Sequence, residues 1–346
     1  MIKFVPGEYS QVEWGQLAER AESQNLMQCW AYGEAKRIAD SWRVERGVFT
    51  DGDTIVGIAQ AMIRDLPGIG SLVRGGLCWV NRGPLLFSDL GARVSSDCAA
   101  AVLEALRQYY AVDQHFYLRI ASPDRALEKE QSFSTPAGFR LTGSAGWASA
   151  LLMLAPGADG LRTGLRPNWR NKLSKAERGG LHIQKAFDQA SLLNFVDEYR
   201  NFLMERGFAT TVTPDLLRAL FQAAAPDAAA TCYRAFSGAV HLGSIVTIRY
   251  GETVEYLAAT TLEAARSVPV GQILVWRAIC DACDTGAGYF DVSGMDPETT
   301  PKGIFEFKSG LNGEPYRLPG EIESVGGGLR AALVRWRVKR ARRTAA

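Results

Sequence analysis

The stretch Tyr289-Phe-Asp-Val-Ser-Gly294, followed after a polar loop by Lys302-Gly-Ile-Phe-Glu-Phe-Lys308-Ser-Gly-Leu-Asn-Gly313, decides how this chain is read. A short apolar run from Gly288 to Val292 reads as a strand that carries Asp291 near its end. A turn rich in Gly, Pro and Thr follows, and Ile304 to Phe307 then alternate before Lys308. In this reading Lys308 belongs to a loop, at the lip of a site and not in a core. Upstream, a break at Pro269 to Gly271 precedes a helix from Gly271 to Asp284, long enough to pack on the strand. Helix and strand together read as the closing part of an α/β unit.

Working outward, the same order of elements occurs twice. Ser10-Gln-Val-Glu13 is a capping box that opens a helix through Ala21, and a second helix runs from about Met27 to Ile38. Val44 to Thr50 and Ile55 to Arg64 flank Asp51-Gly52, a hairpin signal. A strand from Gly70 to Val80, a break at Arg82-Gly83-Pro84, a helix from Ser95 to Tyr110 and a strand from His115 to Ile120 follow, with a short helix from Pro123. The second half starts with a strand from Gly146 to Leu154 and a basic helical segment from Leu161 to Gly180. Helices at Ser191 to Met204 and Pro214 to Ala223 come next. Strands at Ala229 to Phe236, Val240 to Arg249 and Thr253 to Ala259 lead into the final helix and strand. Hairpins followed by a strand–helix–strand step predict an α/β (α+β) chain of two units, each a mixed β-sheet flanked by helices. The first unit is expected to span 1–144 plus about 318–346, and the second 145–317, with Tyr316 to Pro319 and the basic tail returning to the first.

Composition suits a globular protein: 346 residues, 47% hydrophobic and 22% charged, with no apolar run near the ~20 residues that a membrane span needs. Met1 to Glu8 has no apolar signal core, so a cytoplasmic protein is expected. The six cysteines are scattered and form no disulfide framework; Cys280 and Cys283 form a CxxC inside a helical pattern, where small core residues are the expected reading and no metal is expected. Residues 329–346 hold Arg330, Arg335, Arg337, Lys339, Arg340, Arg342 and Arg343 and no acid, so the rest of the chain is net −5 against a total of +2. Such a tail reads as a contact for a polyanion, RNA or an anionic membrane surface, or as a solvated helix end.

Helix, hairpin and a Gly-bearing turn into a helix resemble the plan of GNAT acyltransferases, which hold a pyrophosphate on amides at a helix N-terminus. Of their [Q/R]-x-x-G-x-[G/A] loop, Arg266-Ser-Val-Pro-Val-Gly271 keeps Arg266 and Gly271, but Pro269 stands at the middle glycine position and lacks an N–H. A more specific resemblance rests on an ordered set of motifs. These are Gln28-Cys-Trp30-Ala-Tyr-Gly33-Glu-Ala-Lys36, Arg82-Gly83-Pro84, Asn168-Trp-Arg170-Asn-Lys172 with Ala176-Glu-Arg-Gly-Gly180, Glu205-Arg206-Gly207-Phe208, Tyr256-Leu-Ala-Ala259, Phe290-Asp291-Val-Ser-Gly294 and Phe307-Lys308. In that order, across nearly the whole chain, they resemble the FemA/FemB/FemX family of aminoacyl-tRNA-dependent transferases, tandem GNAT-like proteins. The coiled-coil arm that some members insert in the second domain is absent.

The resemblance implies amide formation: an amine on the stem peptide of a UDP- or lipid-linked muramyl peptide attacks the ester carbonyl of aminoacyl-tRNA. No cofactor is implied, since the ester is already activated. The protein has to position two large anions and stabilise a tetrahedral oxyanion. Lys308, matching the family's Phe-Lys motif, is the implied catalytic cation or a contact for the tRNA acceptor end. Lys36 and Arg206 match the cations that hold the precursor's pyrophosphate, Tyr256 could add a hydroxyl, Phe307 shares the Lys308 motif, and Arg82 shapes the cleft or caps a turn. Arg166, Arg170, Lys172 and Lys175 lie in a basic segment that fits RNA phosphates or a solvated face, with Arg166, Arg170 and Lys172 near one another if the segment is one helix. Two other readings stay open. One is an N-acyltransferase that uses acyl-CoA on an envelope polysaccharide or amino-sugar precursor; the other is a non-enzymatic scaffold held at the membrane by its tail.

Overall fold

The computed structural model describes residues 1–345, apart from 22, 66–74, 88–95, 124–134, 208–209, 224–226 and 327–328. They form two compact units, Met1–Gly146 with Leu318–Ala346, and Trp147–Arg317.

The first unit contains β1 (Lys3–Gly7), α1 (Gln11–Glu19), α2 (Trp30–Asp40), β2 (Arg43–Asp51), β3 (Thr54–Asp65), β4 (Gly76–Val80), β5 (Leu85–Leu86), α3 (Ser96–Leu106), β6 (Tyr117–Ile120) and β7 (Arg140–Leu141). The Ser10 capping box forms as expected: Glu13 N–H donates to Ser10 Oγ at 3.2 Å, and Ser10 N–H donates to the Glu13 carboxylate at 2.7 Å. Gly52 turns the β2–β3 hairpin at φ +58°, a backbone state that suits glycine. Alternation along the hairpin sends Phe49 and Ala59 into one apolar cluster with Leu106, Tyr110 and Leu118, and Val48 and Ile58 into another with Trp14 and Phe87. The sheet is therefore covered on both faces. Helix α2 sits so close to it that a Cβ on Gly33 would lie 2.3 Å from Gln60 Oε1.

The second unit contains β8 (Ala148–Met153), α4 (Gly157–Gly164), α5 (Pro167–Arg178), β9 (His182–Ala186), α6 (Gln189–Arg206), α7 (Pro214–Ala223), β10 (Ala229–Ser237), β11 (Val240–Tyr250), β12 (Thr253–Thr261), α8 (Val270–Asp284), β13 (Tyr289–Asp291), α9 (Lys302–Ser309) and β14 (Glu314–Arg317). The chain then re-enters the first unit as β15 (Ile322–Val325) and α10 (Leu329–Ala345).

Both sheets are mixed, as expected, and their strand orders correspond. The first runs β1-β2-β3-β4-β6-β15-β7 and the second β9-β10-β11-β12-β13-β8-β14. Each is an antiparallel meander of four strands, one parallel step (β4/β6 and β12/β13), then two antiparallel strands. The two sheets differ just past the parallel step. In the first unit the chain after β6 stays tied to β4: Ala121 N–H donates to Val80 O at 2.9 Å, and Gly83 N–H donates to Ala121 O at 3.1 Å. In the second unit β13 pairs with β12 only over Thr253/Tyr289, Val254/Phe290 and Glu255/Asp291. Beyond that, Val292 and Met295 N–H donate to Ala150 and Ala148 O of β8, at 3.0 and 2.8 Å. The second sheet opens between its parallel strands, and the first does not.

Several expectations need correction. Ile304 to Phe307 are helical, within α9, because Pro301 is followed by a run with no further Pro and its carbonyl accepts from Ile304 and Phe305 N–H. The basic segment is two helices, since Pro167 forces a break at Leu165–Arg166 and starts α5 at its first turn. Arg166 and Arg170 remain neighbours, but Lys172 turns away with Lys175. Tyr316 and Arg317 belong to the second sheet through β14. The short helix expected from Pro123 lies largely outside the described residues, as does the beginning of the strand expected from Gly70. Short polar strands such as β9, His182-Ile-Gln-Lys-Ala186, went unread because only Ala186 is buried.

Glu323 of β15 fixes the basic tail. It is fully buried and accepts from Tyr117 OH at 2.5 Å, Arg140 at 2.9 Å and Arg335 of α10, with Lys339 Nζ 3.3 Å away. Burial pushes this carboxyl up, but the bonds from Arg335 and Tyr117 and the nearby cations outweigh burial and hold it at about 2. A carboxyl held below its ordinary 4.5 contributes stability above that pH and loses it as pH falls toward 2. We therefore expect Glu323→Gln to destabilise the chain by about 3 kcal/mol at neutral pH, at the low end for a buried pair because its cations reach water. We also expect the gap between variant and parent in urea denaturation to close as pH falls from 4.5 toward 2; a constant gap would contradict this role.

Candidate active site

The opening between β12 and β13 contains the cluster of interest. Asp291, at the end of β13, and Glu255, opposite it on β12, are 1% and 2% exposed. Two adjacent buried carboxylates need donors. Asp291 accepts from Ser149 Oγ on β8, from Tyr316 OH on β14 at 2.6 Å and from Ser293 N–H at 2.7 Å. Glu255 accepts from Tyr250 OH at 2.8 Å and from Ser293 Oγ at 3.1 Å. Ser293 bridges the two acids, and its carbonyl also accepts from Ser149 Oγ at 3.0 Å. To do so it adopts φ +60°, uncommon for a residue with a side chain.

Lys308, in the last turn of α9, completes the cluster. It is 9% exposed, donates to Gly294 O at 2.8 Å, and its Nζ lies 5.5 Å from the centre of the Tyr256 ring. It therefore touches the chain leaving β13 on one side and β12 on the other. Burial pulls its ammonium down from 10.5, Asp291 and then Glu255 push it back up, and the balance is about 8. The lysine is thus held near the boundary between cation and free amine, and at neutral pH it is mainly a cation. Burial pushes the half-buried Tyr256 hydroxyl well above its ordinary range. Phe307, one position earlier, faces the other way. Its ring packs 6.0 Å from Trp169 of α5 and covers Gly271, where a Cβ would meet it at 3.3 Å.

The remaining residues singled out in the sequence have the following surroundings. Arg206 ends α6 exposed, 5.8 Å from the Phe202 ring, with no ion pair among the described residues. Phe208 lies outside the described residues. Lys36, in the first unit, is ion-paired with Asp40 one turn on and 14% exposed at its side chain. Arg82 is buried at φ +47° in the turn before Pro84, its carbonyl accepting from Asn25 Nδ2 at 2.8 Å. Arg166, Lys172 and Lys175 are exposed, and Arg170 donates to Thr163 O at 3.3 Å. Cys280 and Cys283 are free thiols, half-buried on α8. Sequence reasoning gave Tyr256 to the pyrophosphate with Lys36 and Arg206; the structure places its ring beside Lys308. It missed Glu255, Ser149, Tyr250 and Tyr316. The one signal available was an acid inside an otherwise apolar strand, Thr253-Val-Glu-Tyr256.

The buried lysine has a consequence for stability. The unfolded chain holds the Lys308 proton to about 10.5 and the folded chain releases it near 8, so folding gains stability as pH rises between those values. Urea denaturation of the parent should strengthen over that window by about 3 kcal/mol relative to Lys308→Met. Parallel pH profiles for the two proteins would contradict the burial of the charge.

Residues 164–309 match the model of the Acetyltransferase (GNAT) domain. Among solved structures, FemX superposes with a TM-score of 0.74 at 14% identity, covering 96% of this chain and 99% of that one. L-PGS from Bacillus licheniformis superposes at 0.53 and 12% identity, covering 97% and 98%. A tandem GNAT protein from the clavulanic acid biosynthesis pathway superposes at 0.51 and 14% identity, covering 95% and 100%. No curated protein sequence matches the chain. Identities this low establish the fold alone: the chain has the FemX-like tandem GNAT fold, and its residues 164–309 match a GNAT acetyltransferase domain.

Proposed function

We propose that this protein is an aminoacyltransferase that moves an amino acid from aminoacyl-tRNA to an amine on the stem peptide of a peptidoglycan precursor. The observation that carries the reading is the Lys308 ammonium in the opening between β12 and β13, held charged by Asp291 and Glu255. The acceptor amine adds to the ester carbonyl and a tetrahedral oxyanion forms. A cation in a low-dielectric site stabilises that charge far better than water does. Collapse forms the amide and breaks the bond to the ribose oxygen. The amine loses one proton and the ribose hydroxyl gains one, so the reaction needs no net acid or base. Asp291 and Glu255 are occupied by hydroxyl and amide donors, which suits them to holding Lys308 and not to abstracting protons. Lys36 and Arg206 are proposed as phosphate contacts, with Lys36 first releasing Asp40. Arg166, Arg170, Lys172 and Lys175 are proposed as tRNA contacts.

Transfer from acyl-CoA is the second reading, and the turn before α8 argues against it. Pro269 has no N–H, Val270 and Gln272 N–H donate back to Val268 and Pro269 O at 2.8 and 3.2 Å, and the Phe307 ring lies on Gly271. These residues fit a pyrophosphate cradle poorly. The similarity to FemX supports the aminoacyl reading at the level of fold.

The test supplies purified protein with labelled aminoacyl-tRNA or acyl-CoA and a nucleotide-linked muramyl peptide. Transfer should depend on aminoacyl-tRNA and be abolished by ribonuclease. Lys308→Met should lower its rate by roughly a hundredfold or more while leaving the affinity for the precursor within about twofold. Transfer from acyl-CoA alone would overturn the proposal, and an unchanged rate in Lys308→Met would remove the lysine from the mechanism.

A further inference from the structure

Helix α10 has two unlike faces. Ala331, Val334, Arg335, Val338 and Lys339 recur at helical spacing and turn inward, with Arg335 and Lys339 bound to Glu323. The outward face holds Arg330, Leu333, Trp336, Arg337 and Arg340, all exposed. Leu333 is 43% and Trp336 55% exposed, and the Arg340 guanidinium lies 5.4 Å from the Trp336 ring centre. At 100° per residue, Leu333 and Trp336 share one stripe with Arg340, and Arg337 and Arg330 border it on one side. Arg330 and Arg337 make no ion pair among the described residues, and residues 329–346 contain no acid.

We propose that this outward face docks on an anionic phospholipid surface, with α10 lying in the plane of the interface. Charge complementarity selects a polyanion, and the apolar pair selects which one. A leucine in the middle of the stripe has nothing to gain from a phosphate backbone, whereas the headgroup boundary takes up Leu and Trp and leaves arginines among the phosphates. Because Glu323 anchors the inward face, docking needs no refolding of the helix. No described helix is long and apolar enough to cross a membrane, so the contact is one of surface and not of span. The inference concerns where the chain sits, not what it transfers, and holds whichever acyl donor is used.

The test is flotation of the full chain with vesicles of phosphatidylcholine alone or of equal parts phosphatidylcholine and phosphatidylglycerol, beside a filter-binding assay with uncharged tRNA. The parent should float with the anionic vesicles only and be released by high salt. Arg337→Gln with Arg340→Gln should weaken vesicle binding by about 30-fold, and Leu333→Ser with Trp336→Ser by about tenfold or more. All four positions are exposed, and unchanged circular dichroism would confirm that the variants fold. Flotation unaffected by either pair, no flotation at all, or loss of tRNA binding without loss of flotation in the arginine variant would each overturn the proposal.

Discussion

Parallel strands β12 and β13 pair over only three residues, and much of the second unit follows from that short pairing. Two acids facing one another at the last pair, Glu255 and Asp291, would be untenable in a dry sheet without donors and a counter-charge. The donors come from both sides: Ser149 and Tyr316 for one acid, Tyr250 for the other, and Ser293 between them. The counter-charge is Lys308, which could not stay a cation at that depth if the acids were absent. Each group makes the others tolerable, and together they leave one cation facing the gap where the strands part.

The first unit shows the alternative. Its parallel pair β4/β6 remains tied by Ala121 and Gly83, and its fully buried carboxylate, Glu323, lies on the neighbouring strand β15. There Glu323 collects Tyr117, Arg140, Arg335 and Lys339, and serves to seat α10. One topology thus supports two outcomes. Where the sheet stays closed a buried carboxylate holds a helix; where it opens, buried carboxylates hold a lysine. Strand β15, arriving from the far end of the chain, fills in the first sheet the position that β8 fills in the second.

Much of this was legible in the sequence. The capping box at Ser10, the Asp51-Gly52 hairpin and the helix ending at Asp284 have strong local signals, and each forms as read. The mixed character of both sheets followed from hairpins preceding a strand–helix–strand step. Ile304 to Phe307 misled, because a four-residue alternation is too short to tell a strand from one helical turn. That error carried Lys308 from a buried helix position to a loop. The acids beneath it were invisible for a different reason: local spacing says nothing of which of two neighbouring strands an acid faces. Asp291 accepts locally from Ser293 N–H in the turn that follows it. Its coupling to Lys308, seventeen positions away, is a product of tertiary packing.

The most direct measurement is a titration of Lys308 itself, by NMR of the protein carrying carbon-13 methyl groups on its lysines, with Lys308→Met to assign the signal. The account predicts a midpoint near 8, with further displacement downward in Asp291→Asn. A midpoint at the ordinary 10.5, unmoved by Asp291→Asn, would mean that the lysine is solvated and that no charged group waits between the parting strands.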